Sequence, residues 1–308
     1  MKRLLTAAVL ATALLTGGCA GDNQEPSTST SSGGAGSAYP VTVGTVTLDA
    51  RPEKIVSLSP TATEMLFAVG AGAQVTAVDD QSNYPAEAPK TDLSGFKPNA
   101  EAIAAKDPDL VLLSNDTDNI VAQLGKLKIP VYLTPAAATL EDTYREIREI
   151  GTLTGHQAEA EKVNAEMAAK IDGIVKSVPA RSKPLSYFHE LSPDLYTATS
   201  KTYIGSVFSL FGMTNVADSA DPDGALGGYP QMAQEALVKA NPDTVFLADT
   251  KCCQQSAATV KARDGWASVT AVQKGQIYPL DDDIASRWGP RTVDLVQAVA
   301  DAVSGIPA

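Results

Sequence analysis

Short apolar runs alternate with helical patterns along most of the chain. Within residues 40–137 the runs KIVSLS, QVTAVD, LVLLS and VYLTP are rich in β-branched residues, as buried strands are. Between them lie TATEMLFAVG, NAEAIAAK and NIVAQLGKL, whose apolar residues recur at helical spacing. This alternation predicts a lobe with a mainly parallel sheet that is covered by helices on both faces.

The alternation is interrupted once and then resumes. Residues 138–180 carry no strand pattern, but four apolar residues recur there at a spacing that predicts one long helix with a single buried face: Val163, Met167, Ile171 and Ile174. Residues 181–308 predict a second α/β lobe. A helix of about 22 residues is about 33 Å long, enough to join two lobes. The expected fold class is therefore α/β, with two Rossmann-like lobes of mainly parallel sheet joined by one long rigid helix.

A repeated stretch relates the two predicted lobes. Residues 101–113 read EAIAAKDPDLVLL and residues 235–247 read EALVKANPDTVFL, with six of thirteen aligned positions identical. Each stretch predicts a short helix with a glutamate at its start, a turn at proline and an apolar strand. The repeat indicates that the second lobe duplicates the first.

The N-terminal residues predict export and anchoring. In residues 1–18 Lys2 and Arg3 precede the apolar run LLTAAVLATALL, which is typical of a signal peptide. The following TGGC resembles the lipobox of bacterial lipoproteins, which implies that Cys19 is diacylated; an ordinary secretory signal is the alternative. Residues 19–39 are rich in Ser, Thr and Gly and predict a flexible tether. We therefore expect a lipid-anchored protein on the outer face of the cell membrane.

Composition and motifs exclude several functions. The formal net charge of the 308 residues is −12, and such an acidic surface repels nucleic acid. No G-x-S-x-G, H-E-x-x-H or P-loop motif occurs, so we expect no catalytic residues. The two histidines, His156 and His189, are too few for a free transition-metal site. We expect neither a metal site nor a resident cofactor.

Ligands of open α/β sheets bind beyond the carboxyl ends of the strands. The residues that follow the predicted strands are therefore candidate ligand contacts: Ser59, Thr61, Tyr84, His189, Glu190, Tyr196, Cys252, Cys253, Arg287, Trp288 and Arg291. Two arginines beside an indole would suit a large, flat or anionic ligand, although they could instead form salt bridges. His189 could equally be a structural histidine.

Cys252 and Cys253 are adjacent and open to three interpretations. They could form a vicinal disulfide, remain free thiols or bind a soft metal. A position after a predicted strand favours a disulfide that stiffens the wall of the ligand cleft.

Several motifs occur in an order that points to one family. IVSLSPTATE, a Tyr-Pro after the second strand, NAEAIAAKDPDLV, the long helix and the repeated stretch resemble the substrate-binding proteins of ABC importers for vitamin B12 and ferric siderophores. The resemblance implies two lobes bridged by a rigid helix and a corrinoid or ferric siderophore in the cleft between them. A haem, held through His189 or a tyrosine, is the alternative ligand, and an extracytoplasmic enzyme is the alternative class.

The same resemblance implies roles for three further residues. Glu101 and Glu235 would dock into arginine pockets on the two permease subunits, and Phe96 would contact the ligand. A glutamate in the first turn of a helix also has a purely structural use, because an anion there is stabilised by exposed N–H groups. Two glutamates at equivalent places could in addition face a two-fold permease. The ligand itself is expected to be a metal chelate.

Overall fold

A parallel four-stranded sheet lies at the centre of each lobe in the computed structural model, which describes residues 39–307. The predicted signal peptide, Cys19 and the predicted tether up to residue 38 lie outside the described residues. No helix within the described part of the chain is long and apolar enough to cross a membrane.

The first lobe consists of an N-terminal hairpin and alternating strands and helices. Its strands are β1 (Val41–Val43), β2 (Val46–Leu48), β3 (Ile55–Leu58), β4 (Val75–Val78), β5 (Leu110–Leu113) and β6 (Val131–Leu133). Its helices are α1 (Pro60–Ala68), α2 (Ala100–Ala104) and α3 (Ile120–Lys126). Strands β1 and β2 pair antiparallel, and the other four form the parallel sheet.

Two helices follow, and then the second lobe. The helices are α4 (Leu140–Thr154) and α5 (Gln157–Ser177). The second lobe contains β7 (Ser186–Glu190), α6 (Tyr203–Ser209), β8 (Thr214–Asn215), α7 (Gln234–Ala240), β9 (Thr244–Leu247), α8 (Ala257–Lys261), α9 (Thr270–Lys274), β10 (Ile277–Pro279), α10 (Asp282–Ser286) and α11 (Thr292–Ser304).

The two sheets have the same topology. The spatial order is β4-β3-β5-β6 in the first lobe and β8-β7-β9-β10 in the second, with every neighbouring pair parallel. In each lobe the first strand lies between the second and the third. The second strand therefore lies on one side of the first strand, and the third strand lies on the other side. The point where the strand order reverses is the switch point at which such sheets bind ligands.

Both faces of each sheet are buried, as the continuous apolar runs predicted. In β5, Leu110 and Leu112 join one hydrophobic core, and Val111 and Leu113 join another on the opposite face. The alternation follows from the two-residue period of a strand. This arrangement confirms the predicted fold class.

The repeated stretch folds the same way in both lobes. Glu101 and Glu235 are each the second residue of their helices, α2 and α7. Asp107 and Asn241 then adopt left-handed backbone angles, with φ of 51° and 49°. Asp and Asn tolerate this conformation better than most residues, which explains why the turn occurs there in both copies.

The predicted long helix is α5, and α4 packs beside it. Gly155 ends α4 at a φ of 77°, and Gly151 lets the helices approach, because a Cβ there would lie 2.4 Å from the Cβ of Ala160. At 21 residues, α5 is about 31 Å long. Val163 and Met167 pack into a core of the first lobe, and the C-terminal part of the stripe packs into a core of the second. The apolar stripe thus joins the two lobes.

Candidate functional site

The loops at the carboxyl ends of the two sheets meet. Asn83, which follows β4, donates from Nδ2 to Oδ2 of Asp283, which follows β10, at 3.1 Å. Arg287 donates from Nη2 to the carbonyl oxygen of Gln81 at 3.1 Å. The carboxyl ends of both sheets therefore border one region between the lobes, which we call the cleft. Its rim consists of residues 79–84, 94–97 and 114–116 in the first lobe and of residues 191–196, 226–231 and 249–254 together with α10 in the second.

Glu64 joins the two arginines that the sequence placed in the ligand site. Its side chain, in α1, is 1% exposed and accepts hydrogen bonds from Arg287 Nη1 and Arg291 Nε, each at 2.9 Å. Arg287 also donates to Asp283 at 2.8 Å. Both guanidinium groups are thus neutralised by carboxylates and link the lobes. Both arginines thus form salt bridges in this structure, which was the alternative interpretation of the sequence.

Trp288 also lies between the lobes and not on an open surface. Its Nε1 donates to Oε2 of Glu146 in α4 at 2.9 Å, and its ring packs against a core of each lobe. Burial raises the pKa of Glu146 to about 7, and the bond from Trp288 acts in the opposite direction. The indole thus fixes α4 to the loop before α11.

Besides Arg287, four further predicted contacts are inside the protein. Ser59 accepts a hydrogen bond from the first turn of α1 as its N-cap, and Thr61 is 3% exposed in that turn. His189 and Glu190 are fully buried, because β7 extends to Glu190. Glu190 forms two hydrogen bonds with the guanidinium of Arg263. Direct contact with a ligand would require these side chains to become exposed.

His189 is buried without a hydrogen-bond partner. Neither ring nitrogen has one among the described residues, and burial lowers the pKa of His189 to about 4. The neutral ring packs edge-on against Phe208 at a centroid distance of 5.6 Å. Its environment is that of a core aromatic residue.

Exposed aromatic side chains occur at the carboxyl ends of both sheets. Phe96 is 75% exposed and Tyr84 47% exposed in the first lobe, and Tyr196 is 47% exposed in the second. The ring of Tyr84 lies against the guanidinium of Arg291, 4.4 Å from its centre. These three predicted contacts therefore remain available to a ligand.

Sequence reasoning missed a fourth aromatic residue, Tyr229. It is 42% exposed and lies two residues before Gln231, which pairs with Tyr196. No strand directly precedes Tyr229, so the expectation that ligand contacts follow the carboxyl ends of strands did not include it. The repeat could have found it, because Tyr229 and Phe96 each lie a few residues before the repeated helix.

Cys252 and Cys253 form a disulfide in the loop after β9. The carboxylate of Asp282 accepts hydrogen bonds from the backbone N–H of Lys251 at 2.9 Å and of Cys252 at 3.0 Å. Cys252 is exposed and Cys253 half-buried. The first residue of α10 thus holds the pair at the rim of the cleft.

A cavity of about 420 Å³ lies beside the Glu64 ion pairs. It lies between α1, α5 and the start of α11 and is lined by Tyr84 and Arg291 together with Phe67, Val163, Met167 and Lys170. This cavity was not predicted from the sequence, because its lining lies mainly on helices and the sequence analysis considered only the residues that follow strands.

The chain belongs to the periplasmic binding protein family, whose sequence model matches residues 55–284. An uncharacterized ABC transporter substrate-binding lipoprotein, YvrC of Bacillus subtilis, is 31% identical over 279 residues, which cover 86% of each chain. A cobalamin-binding protein of Halobacterium salinarum is 30% identical over 266 residues, covering 83% of this chain and 71% of that protein.

A solved structure agrees with these relatives. The periplasmic vitamin B12 binding protein BtuF of Vibrio cholerae superimposes with a TM-score of 0.69 at 26% identity, covering 82% of this chain and 96% of BtuF. The comparisons confirm the resemblance seen in the sequence and the predicted functional class, a solute-binding protein of ABC importers.

Proposed function

We propose that the protein binds a corrinoid in the cleft and delivers it to the permease of an ABC importer. The observation that carries this proposal is the set of exposed aromatic side chains at the carboxyl ends of both sheets: Tyr84, Phe96, Tyr196 and Tyr229. Large aromatic rings left exposed on facing lobes are typical of a binding surface, and they suit the flat, partly apolar face of a macrocycle. The cobalamin-binding relative supports the same ligand class.

The charges around the cleft favour a neutral chelate. The two arginines that would attract an anionic ligand are already paired with Glu64 and Asp283. Breaking those pairs to bind a carboxylate would leave a buried carboxylate uncompensated. A corrinoid, whose rim carries amides, requires no such exchange. A ferric siderophore is the other candidate chelate, and a haem would need a tyrosine as its iron ligand because His189 is buried.

Removal of one aromatic side chain tests the ligand site. Tyr229→Ala should weaken binding of cyanocobalamin by about tenfold, the effect of losing one stacked ring. Leu127→Ala is the matched control, since Leu127 is 51% exposed at the end of α3, away from the cleft rim. Isothermal titration calorimetry measures both affinities. Equal affinities of Tyr229→Ala and wild type would contradict a binding surface at Tyr229.

The ligand in the cell can be identified directly. Protein purified from its own host should carry the visible absorption spectrum of a corrinoid, and native mass spectrometry should give the mass of the bound molecule. A haem or siderophore spectrum would replace the corrinoid in this proposal and leave the transport role intact.

Delivery would use Glu101 and Glu235. Both side chains are exposed and occupy the same position in the first turn of equivalent helices, so they can face two related permease subunits. Each change to alanine should leave cyanocobalamin affinity intact and reduce cellular uptake of radiolabelled cyanocobalamin, and the double change should abolish uptake. Glu141→Ala, in the first turn of α4, is the control. Loss of ligand affinity in either single variant would contradict a docking role.

The protein would act at the outer face of the membrane through a lipid on Cys19. The support is the sequence TGGC and the lipoprotein name of the relative YvrC. Cys19→Ser should move the protein from the membrane fraction to the soluble fraction and prevent its labelling by a radioactive fatty acid. An unchanged fraction and unchanged labelling would contradict the anchor. We infer a carrier and not an enzyme, in line with the solute-binding family.

A further inference from the structure

A small pocket lies at the carboxyl end of the first-lobe sheet. Its volume is about 60 Å³, and its lining includes Leu58, Asp79, Gln81, Phe96, Ser114 and Asn115. Phe96 and Asn115 are exposed, so the pocket opens at the cleft rim between them. The residues come from the ends of β3, β4 and β5, and the pocket therefore occupies the switch point of this sheet.

Asp79 is the buried polar group of this pocket. Its side chain follows β4, the residue is 3% exposed, and Oδ1 has no hydrogen-bond partner within residues 39–307. Burial raises the pKa of Asp79, although hydrogen bonds with Ser82 act in the opposite direction. A buried carboxyl group with an oxygen that lacks a donor is unfavourable, so a polar group that enters the pocket and donates to the carboxyl group gains a hydrogen bond.

Gly95 allows the loop that carries Phe96 to close over Asp79. A Cβ at position 95 would lie 2.7 Å from Asp79 Oδ2 and 2.7 Å from the carbonyl oxygen of Leu58. Only glycine therefore fits between the carboxyl group and the strand end. This packing places the exposed ring of Phe96 beside the pocket, so a ligand lying on the ring can insert a side group next to Asp79.

The chemistry of the pocket restricts that side group. A carboxylate on the ligand would meet a second carboxyl group in a desolvated place, which is repulsive. A primary amide has two N–H donors and no charge, and its end is small enough for this volume. The rim of a corrin ring bears such amides, whereas haem bears carboxylates.

We propose that Asp79 accepts a hydrogen bond from a primary amide of the bound corrinoid and selects amide-bearing over carboxylate-bearing chelates. This inference rests on the proposed function and names the group of the ligand that the first lobe recognises. Asp79 is then a specificity-determining residue, and the aromatic rings supply the remaining contact.

Two corrinoids that differ in these groups provide the test. Cobinamide carries amides around the ring, and cobyrinic acid carries carboxylates at the same places. Calorimetry of the wild type should show a strong preference for cobinamide. Asp79→Ala should weaken cobinamide binding roughly tenfold or more. Asp79→Asn should keep cobinamide affinity within about threefold and reduce the preference over cobyrinic acid by about tenfold, because an asparagine amide can donate to a carboxylate.

Asp49→Ala is the matched control, since Asp49 is an exposed aspartate of the first lobe that follows β2, outside the cleft rim. It should leave both affinities unchanged, and thermal melts show whether each variant is folded. If Asp79→Ala fails to fold, the Asp79→Asn result decides. Unchanged preference in Asp79→Asn, or equal losses of affinity in the Asp79 and Asp49 variants, would overturn the role of Asp79 and leave the proposed function intact. A wild type that binds neither cobinamide nor cyanocobalamin would overturn both.

Discussion

A change at Glu64 should strongly reduce the stability of the fold, because its one buried carboxylate forms ion pairs with two arginines across the lobes. The change Glu64→Gln removes its charge and keeps its shape. The carboxylate is 1% exposed, and the side chains of Arg287 and Arg291 are 8% and 17% exposed. Removing one partner of a buried ion pair leaves an uncompensated charge and costs about 3–5 kcal/mol.

The expected value lies at the lower end of that range. Arg287 keeps its bond to Asp283 at 2.8 Å, and the glutamine oxygen still accepts one hydrogen bond. We therefore expect a loss of about 3 kcal/mol in the free energy of unfolding, a large share of the roughly 5–15 kcal/mol of a folded protein. With a urea slope of about 3 kcal/mol/M, the unfolding midpoint falls by about 1 M.

Urea unfolding followed by tryptophan fluorescence measures this loss, since Trp266 is buried in the second lobe and Trp288 lies between the lobes. The control is Asp172→Asn, whose partner Lys176 forms an exposed pair on α5, with side chains 61% and 73% exposed. That change should cost less than about 0.5 kcal/mol. A loss below about 1 kcal/mol in Glu64→Gln would contradict a large contribution of the interlobe ion pairs to the stability of the protein.

Three other predictions concern pH, redox state and lobe motion. The pKa of Glu146 is raised from 4.5 to about 7 in the fold, so the protonated carboxyl stabilises the protein below about pH 4.5 and this contribution is lost as the pH rises through 7. Glu146→Gln should thus be more stable than wild type above pH 7, by about 1–3 kcal/mol, and equal to it near pH 4.5; a constant difference across a series of melts would contradict this. Mild reduction of Cys252–Cys253 should weaken cyanocobalamin binding with little change in Tm, because the effect of the disulfide on the unfolded chain is far below the ~3 kcal/mol of a 15-residue loop; unchanged affinity would remove its role in the cleft wall. Saturation with cyanocobalamin should barely change the radius of gyration in small-angle scattering, because α4 and α5 bridge the lobes, and a large drop would refute rigidity.

Most of the fold could be predicted from the sequence because it depends on local periodicity. Strands buried on both faces read as continuous apolar runs, and the stripe on α5 has the spacing of one helical face. The repeated stretch indicated the duplication, since each copy contains its own turn at Asp107 or Asn241.

The candidate site was less predictable because its geometry depends on distant partners. Arg287 and Glu64 are 223 positions apart, and no local pattern shows that one neutralises the other. Glu190 looked like a residue beyond the strand, yet Arg263, 73 positions away, allows β7 to continue through it into the interior. A charged residue at the end of an apolar run was therefore interpreted as the start of a loop. In the fold a counter-ion allows that residue to remain in the buried strand.

The exposed residues of the site were the easier ones. Phe96 and Tyr84 follow from the family resemblance and from the end of a strand, and both are exposed at the cleft rim. Asp79 and Tyr229 were missed because neither stands out in sequence: one is a single acid after an apolar strand, and the other lies in a glycine-rich loop.

Calorimetric titration of the full chain with cyanocobalamin, haemin and ferrichrome tests the central claim most directly. We predict saturable one-to-one binding of cyanocobalamin, weaker or no binding of the other two, and loss of affinity in Tyr229→Ala but not in Leu127→Ala. No heat from cyanocobalamin, with one-to-one binding of haemin or ferrichrome, would contradict the account.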